Sequence, residues 1–176
     1  REAATCLVLP ASASLLPCSA SEVVQVDGDA FRGVAMRAMT GIAMNQVPVA
    51  AASRVLYWAA DLVVALYTLH NNVRDSSILH CDLLAKNIFI EEPETPESRA
   101  TLIDYGIVVV GARHSTFSPS AVPYASWGWG TCNGVAWGDK FGSKNLPFDA
   151  ACEWRQLAMV LIGCVQGKGC DHEHAA

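Results

Sequence analysis

Charge is scarce in this sequence. Asp, Glu, Lys and Arg supply 16% of the 176 residues and aromatics 8%, against 52% hydrophobic residues. A disordered tail shows the reverse balance, so the chain reads as one globular domain with a sizeable core. Positive charge is the minority sign: the net charge is −5 and the pI about 5.4. That balance suits neither a nucleic acid nor an anionic membrane, and neither is expected as a partner. No C-x-x-C occurs among the seven cysteines, whose number is odd and whose spacing is scattered. Reduced thiols in a cytoplasmic compartment are therefore expected rather than a disulfide framework. The first apolar run, Leu7-Val8-Leu9, makes no convincing signal peptide. The most membrane-like stretch, residues 55–69, contains Asp61 and is flanked by Arg54 and His70. It is too short to span and reads as a core helix. Lysine is absent before Lys86, and the glycines ahead of it are Gly28, Gly33 and Gly41.

What is present falls into short apolar runs and two longer periodic stretches. Cys6-Leu7-Val8-Leu9 before Pro10 predicts a strand, and residues 11–21 a connector. Asp27-Gly28-Asp29 predicts the start of a helix over residues 30–39, with Gly41 just past its end. Pro48 suits the first position of a long helix running to His70. Within it Val55, Ala59, Leu62, Leu66 and Leu69 recur at three- and four-residue steps and form one buried stripe, widened by Trp58 and Ala65. Strands are predicted at Ser77-Ile78-Leu79, at Asn87-Ile88-Phe89-Ile90 and at Thr101-Leu102-Ile103. The acidic, proline-bearing residues 91–98 predict an exposed hairpin loop. Residues 107–145 lose periodicity and read as a long functional loop, in which Trp127, Trp129 and Trp137 serve as packing anchors. Helical spacing returns over residues 148–165, where Trp154, Leu157, Leu161 and Ile162 are available to the core.

Two polar groups stand at the mouths of apolar strands: His80-Cys81-Asp82-Leu83-Leu84-Ala85-Lys86-Asn87, and Asp104-Tyr105-Gly106. Strands that end in polar residues at one place make a site where side chains converge. Phosphoryl transfer needs few parts. One carboxylate orients the attacking hydroxyl and accepts its proton, while a second carboxylate and an amide oxygen hold Mg²⁺ against the phosphates. Asp82, Asp104 and Asn87 supply that set. Asp82 and Asn87 are five residues apart, so a tight loop can aim both into one pocket.

The loop H-C-D-L-L-A-K-N resembles the H-R-D-L-x-x-x-N catalytic loop of the protein kinase superfamily, and D-Y-G resembles its D-F-G. The resemblance implies an α+β, kinase-like fold. Its C-terminal lobe would be mainly α-helical with short strands around the catalytic loop, and its N-terminal lobe largely missing. Residues 1–20 would be the last strand of that N-terminal lobe and the hinge, and residues 21–176 an incomplete C-terminal lobe. The resemblance further implies ATP and Mg²⁺ as cofactors and a protein hydroxyl as acceptor. Asp82 would be the catalytic base, His80 a pin under the loop, and Asn87 and Asp104 the Mg²⁺ ligands, with Gly106 in the same nucleotide-binding loop. Lys86 joins the catalytic set by position, although a solvated side chain is its simpler role. Glu153, or Asp149 in a shifted register, would anchor the loop from the helix below.

The departures are as informative. Cys81 stands where the family has Arg, and Tyr105 where it has Phe. No V-A-I-K or glycine-rich loop precedes the long helix, and no A-P-E follows Gly106; Pro123-Tyr124-Ala125 comes nearest. Weak activity, or none, is expected of this chain alone. Small-molecule phosphotransferases of the aminoglycoside and choline kinase type share H-x-D-x-x-x-x-N and a later I-D strand end, so a small alcohol is an alternative acceptor. A non-catalytic, kinase-derived binding module is a third reading. Half a lobe would leave apolar helix faces uncovered, which predicts a partner protein or self-association. Cys170, His172 and His174 offer three ligands near the C-terminus, too few for a structural metal site.

Overall fold

Helix and strand share the described residues about equally in this computed structural model, which describes residues 9, 11–27, 29–48, 51–71, 76–106, 108–112 and 150–167. The α+β expectation holds, and the described residues do not confirm a mainly helical lobe.

The long periodic stretch is helix α1 (Ala52–Asn71), and its stripe is buried as expected: Val55, Trp58, Leu62, Ala65, Leu66 and Leu69 face the core. Twenty residues and its composition make α1 long and apolar enough to cross a membrane, so the apolar run understated its length. Its packing is that of a core helix. Asp61 accepts both Arg99 Nε–H (2.9 Å) and Nη2–H (2.7 Å) and also the Ala100 amide (3.0 Å), which fastens α1 to strand β6 (Arg99–Leu102). Trp58 donates its indole N–H to Ser98 just before that strand. The outward face of α1 carries exposed Leu56, Tyr57, Val64 and Tyr67. Helix α2 (Ala150–Gln166) packs on α1 and adds Leu157 and Val160 to the same core.

Strands β3 (Ile42–Ala43), β5 (Ile88–Glu91) and β6 form an antiparallel sheet in that spatial order. Ile88 pairs with Leu102 and Ile90 with Ala100, and all four are buried. The 14–16 segment extends this sheet in parallel along β6: the Leu16 amide donates to Leu102 O (3.1 Å) and the Leu102 amide to Ser14 O (3.0 Å). Strand β4 (Ser76–Leu79) pairs with β7 (Val109–Ala112), and β4 packs on α1. The three strands predicted between residues 77 and 103 are thus present, and β7 occupies the start of the stretch read as loop.

Other expectations are overturned. Residues 30–39 are not a helix. Strands β1 (Cys18–Val26) and β2 (Asp29–Met36) form an antiparallel hairpin, with Val26 paired to Asp29 across a tight turn in which Asp27 has φ 52°. Asp-Gly between valine-rich and Ala-Phe stretches is a hairpin signal before it is a helix cap, and Gly33 disfavours a helix interior. The same hairpin takes over the end of the expected 11–21 connector. Cys18 is disulfide-bonded rather than a reduced thiol. The strand read at Cys6 to Leu9, the tryptophan-rich stretch and Cys170, His172 and His174 lie outside the described residues, Leu9 excepted.

Gly41 ends no helix. It has φ 141°, and a Cβ there would overlap the Ile90 carbonyl of β5. Gly41→Ala is expected to lower stability by about 2–3 kcal/mol in urea denaturation, from combined clash and backbone strain.

Candidate active site

The chain leaves β4 at Leu79 and turns through Cys81 at φ 66°, a conformation that residues with a Cβ seldom adopt. The turn is held from beneath. The Cys81 amide donates to Glu153 Oε1 at 2.7 Å, and Glu153 Oε2 lies 2.7 Å from His70 Nε2 at the end of α1. Glu153 is 0% exposed and His70 6%. Trp154 meets the His70 ring edge-on at 5.5 Å. One carboxylate sealed from solvent therefore joins the last turn of α1, the first turn of α2 and the polar loop. Its place in the first turn of α2 also suits the helix dipole. Glu153 anchors the loop from below; Asp149 lies outside the described residues.

His80 is fully buried. Its Nε2 is 2.9 Å from the Ile103 carbonyl, and its Nδ1 is 3.3 Å from the Asp82 amide nitrogen. A carbonyl only accepts and an amide N–H only donates, so these partners assign the proton to Nε2. His80 thus crosslinks the backbone of Asp82 to the residue before Asp104, the pin anticipated from the sequence.

Asn87 closes a 3-10 turn, Ala85–Asn87, and is buried. Its amide nitrogen donates to both the Asp82 carbonyl (2.9 Å) and Asp82 Oδ2 (2.8 Å). Two acceptors on one side fix the amide orientation, and Oδ1 remains as the donor atom for a cation. The Asn87 carbonyl accepts the Ile103 amide at 2.9 Å. Asp82 and Asn87 are therefore in contact, and both are bonded to the residues that lead into Asp104.

Asp104 is exposed and has φ 64°, and its Oδ1 accepts the Gly106 amide at 3.2 Å. A Cβ on residue 106 would crowd that same oxygen, also at 3.2 Å, so glycine leaves the carboxylate room. Lys86 is exposed, as a solvated side chain is. Tyr105 is 0% exposed and packs edge-on against His80 at 5.7 Å. Its hydroxyl donates to Leu102 O at 2.7 Å and accepts the Leu16 amide at 2.9 Å. Burial pushes its ionisation well above the usual phenol range, against the smaller opposing effect of the Leu16 hydrogen bond.

No family model and no curated protein matches the sequence. Among solved structures that do match, the kinase PK-1 of Cydia pomonella granulovirus superposes with a TM-score of 0.51 at 15% identity. The match covers 86% of this chain and 49% of that one. The fold is kinase-like. This chain spans about half the length of the kinase it matches.

The structure brings Asp82, Asn87 and the residues leading into Asp104 together. Sequence reading missed His70, Leu16 and the Tyr105 hydroxyl as parts of the same assembly. His70 left a trace: it falls four residues after Leu66 on the buried stripe, where a polar side chain must find a partner. Nothing local marks Leu16, which enters through its backbone.

Among the described residues no group of three or more His, Cys, Asp and Glu could hold a metal. Magnesium does not require one. It commonly takes one or two protein oxygens and completes its shell with phosphates and water. Asn87 Oδ1 and the exposed Asp104 carboxylate fit that donor chemistry.

Proposed function

We propose that this chain is part of an ATP-dependent phosphotransferase acting on a protein hydroxyl, weakly or not at all when alone. The observation that carries the reading is the Asp82–Asn87 pair, bonded to the residues leading into Asp104, on a kinase-like fold. Asp82 orients the incoming hydroxyl and takes its proton, using the carboxylate oxygen that Asn87 leaves unbonded. Asn87 limits the rotation of that carboxylate through its two donated hydrogen bonds. Asn87 Oδ1 and Asp104 would hold Mg²⁺, which when bound neutralises charge on the phosphates. His80 and Glu153 keep the loop in place without touching substrate. In this reading residues 1–20 correspond to the last N-lobe strand and hinge, and residues 21–176 to an incomplete C-lobe.

A small alcohol as acceptor is the second reading, and Cys81 supports it. That residue is 2% exposed and turns its thiol toward the Leu79 carbonyl, so no basic side chain stands there to meet a phosphorylated loop.

Calorimetry with ATP, with and without Mg²⁺, tests the shared part of both readings. With no lysine before Lys86 to grip the phosphates, affinity is expected near the millimolar range, about −4 kcal/mol, and only with Mg²⁺ present. No heat at several times that concentration, or equal heats with and without Mg²⁺, would overturn the reading and favour a non-catalytic binding module.

A further inference from the structure

The Tyr105 hydroxyl lies at a closed knot of three polar groups. The Leu16 amide donates both to Tyr105 Oη (2.9 Å) and to Leu102 O (3.1 Å), and the hydroxyl in turn donates to that same Leu102 O (2.7 Å). Leu16, Leu102 and Tyr105 are all buried. Two strands of the sheet, the 14–16 segment and β6, are thereby joined to a side chain of the Asp104 loop. The phenylalanine that D-F-G would place here has no group that could join them.

Position gives this knot a consequence. Asp104, the residue before Tyr105, is in the left-handed region at φ 64° and has its side chain in solvent. Such a conformation persists only where the surroundings over-determine it. On one side His80 holds the Ile103 carbonyl, and Asn87 holds the Ile103 amide. On the other side the loop enters the core through the Tyr105 ring and its hydroxyl. Asp104 is fixed from both flanks, and one of the two fixings is bonded to the 14–16 segment.

We propose that the Tyr105 hydroxyl is a positioning group that couples the 14–16 segment to the conformation of Asp104, and so sets how well the site takes a divalent cation. The cation part rests on the phosphotransfer reading above; the coupling does not. Any displacement of the 14–16 segment pulls on the hydroxyl, and any outward turn of the D-Y-G loop withdraws the hydroxyl from Leu16 and Leu102. The loop and the segment therefore move together or not at all.

Tyr105→Phe tests this. It keeps the buried ring, and the Leu16 amide and Leu102 carbonyl still have each other, so the fold survives. Amide hydrogen exchange is followed at Leu16 and at Ile103, and Mg²⁺ alone is titrated by calorimetry. Exchange is expected to speed about tenfold at both amides, which corresponds to about 1.4 kcal/mol. Mg²⁺ affinity is expected to fall about fivefold, an effect that loss of global stability would not produce in protein that is still folded. Unchanged exchange at Leu16, or a change confined to Leu16, overturns the coupling. Faster exchange at both amides with Mg²⁺ affinity unchanged overturns the cation part. A wild-type chain that takes no Mg²⁺ sinks the phosphotransfer reading and with it the cation part, while the two amides still decide the coupling.

Discussion

Glu153→Ala is expected to destabilise the chain by about 3–5 kcal/mol, enough to unfold a domain of ordinary stability. The reason is what the substitution leaves behind. Glu153 has no solvent contact and serves two buried partners, the Cys81 amide and His70. Alanine strands both, and each stranded buried polar group costs roughly 1–3 kcal/mol. Cys81 also loses what holds it at φ 66°. Urea denaturation followed by tryptophan fluorescence measures the effect, with Trp154 beside His70 as a local reporter. Glu153→Gln separates charge from connectivity. Its amide oxygen still accepts the Cys81 amide, and its nitrogen can donate to a His70 Nε2 that bears no proton. A loss of about 1 kcal/mol is expected. If Glu153→Ala costs less than that, the loop is not held from α2 and the description of the site is wrong at its base.

Glu153 also shows where sequence reading stopped. Helix α1 and the strands around residues 77–103 were legible because periodicity is local: each residue's environment is set by neighbours a few positions away. The polar residues His80, Asp82, Asn87 and Asp104 were legible because they sit at strand mouths. The hairpin over residues 18–36 is ambiguous in sequence because Asp-Gly-Asp serves both a helix start and a tight turn, and only the valines before it favour the turn. The resemblance pointed to Glu153 and His80 as the groups that hold the loop, but the distant partners that complete the site were not legible. His70 meets Glu153 across 83 residues of sequence, and Leu16 meets Tyr105 across 89. No pattern in a single sequence reports which distant pairs the tertiary fold brings within 3 Å.

The division of labour that results is informative. Of the residues that would touch ATP or an acceptor, Asp82 is half-buried and Asp104 exposed, while the groups that hold them, His80, Glu153 and Tyr105, are buried. Two of the loop residues, Cys81 and Asp104, are in the left-handed region, and each has one of these buried groups bonded at it or next to it. Backbone strain in the two loops is thus balanced by hydrogen bonds from buried groups, which is how a site keeps a geometry that its own residues do not prefer.

Asp104 is where that geometry meets the proposed chemistry. Asp104→Ala is expected to weaken Mg²⁺-dependent ATP binding about a hundredfold, the upper end of what even indirect partners of a metal contribute. Alanine alone would confound two effects, because it removes the carboxylate and also tolerates φ 64° poorly. Asp104→Asn resolves them. Asparagine is at home in the left-handed region, and its side-chain oxygen can still accept the Gly106 amide. What it lacks is the negative charge that a hard cation requires. Both variants should therefore lose Mg²⁺-dependent binding by calorimetry, while only alanine should lower the denaturation midpoint, by the equivalent of about 1 kcal/mol. If asparagine binds Mg-ATP as the wild type does, the Asp104 charge holds no metal, and the kinase-like fold here serves something other than phosphoryl transfer. If both variants lose binding while folding as expected, the exposed carboxylate is the metal's anchor, and the buried groups beneath it are what keep it aimed.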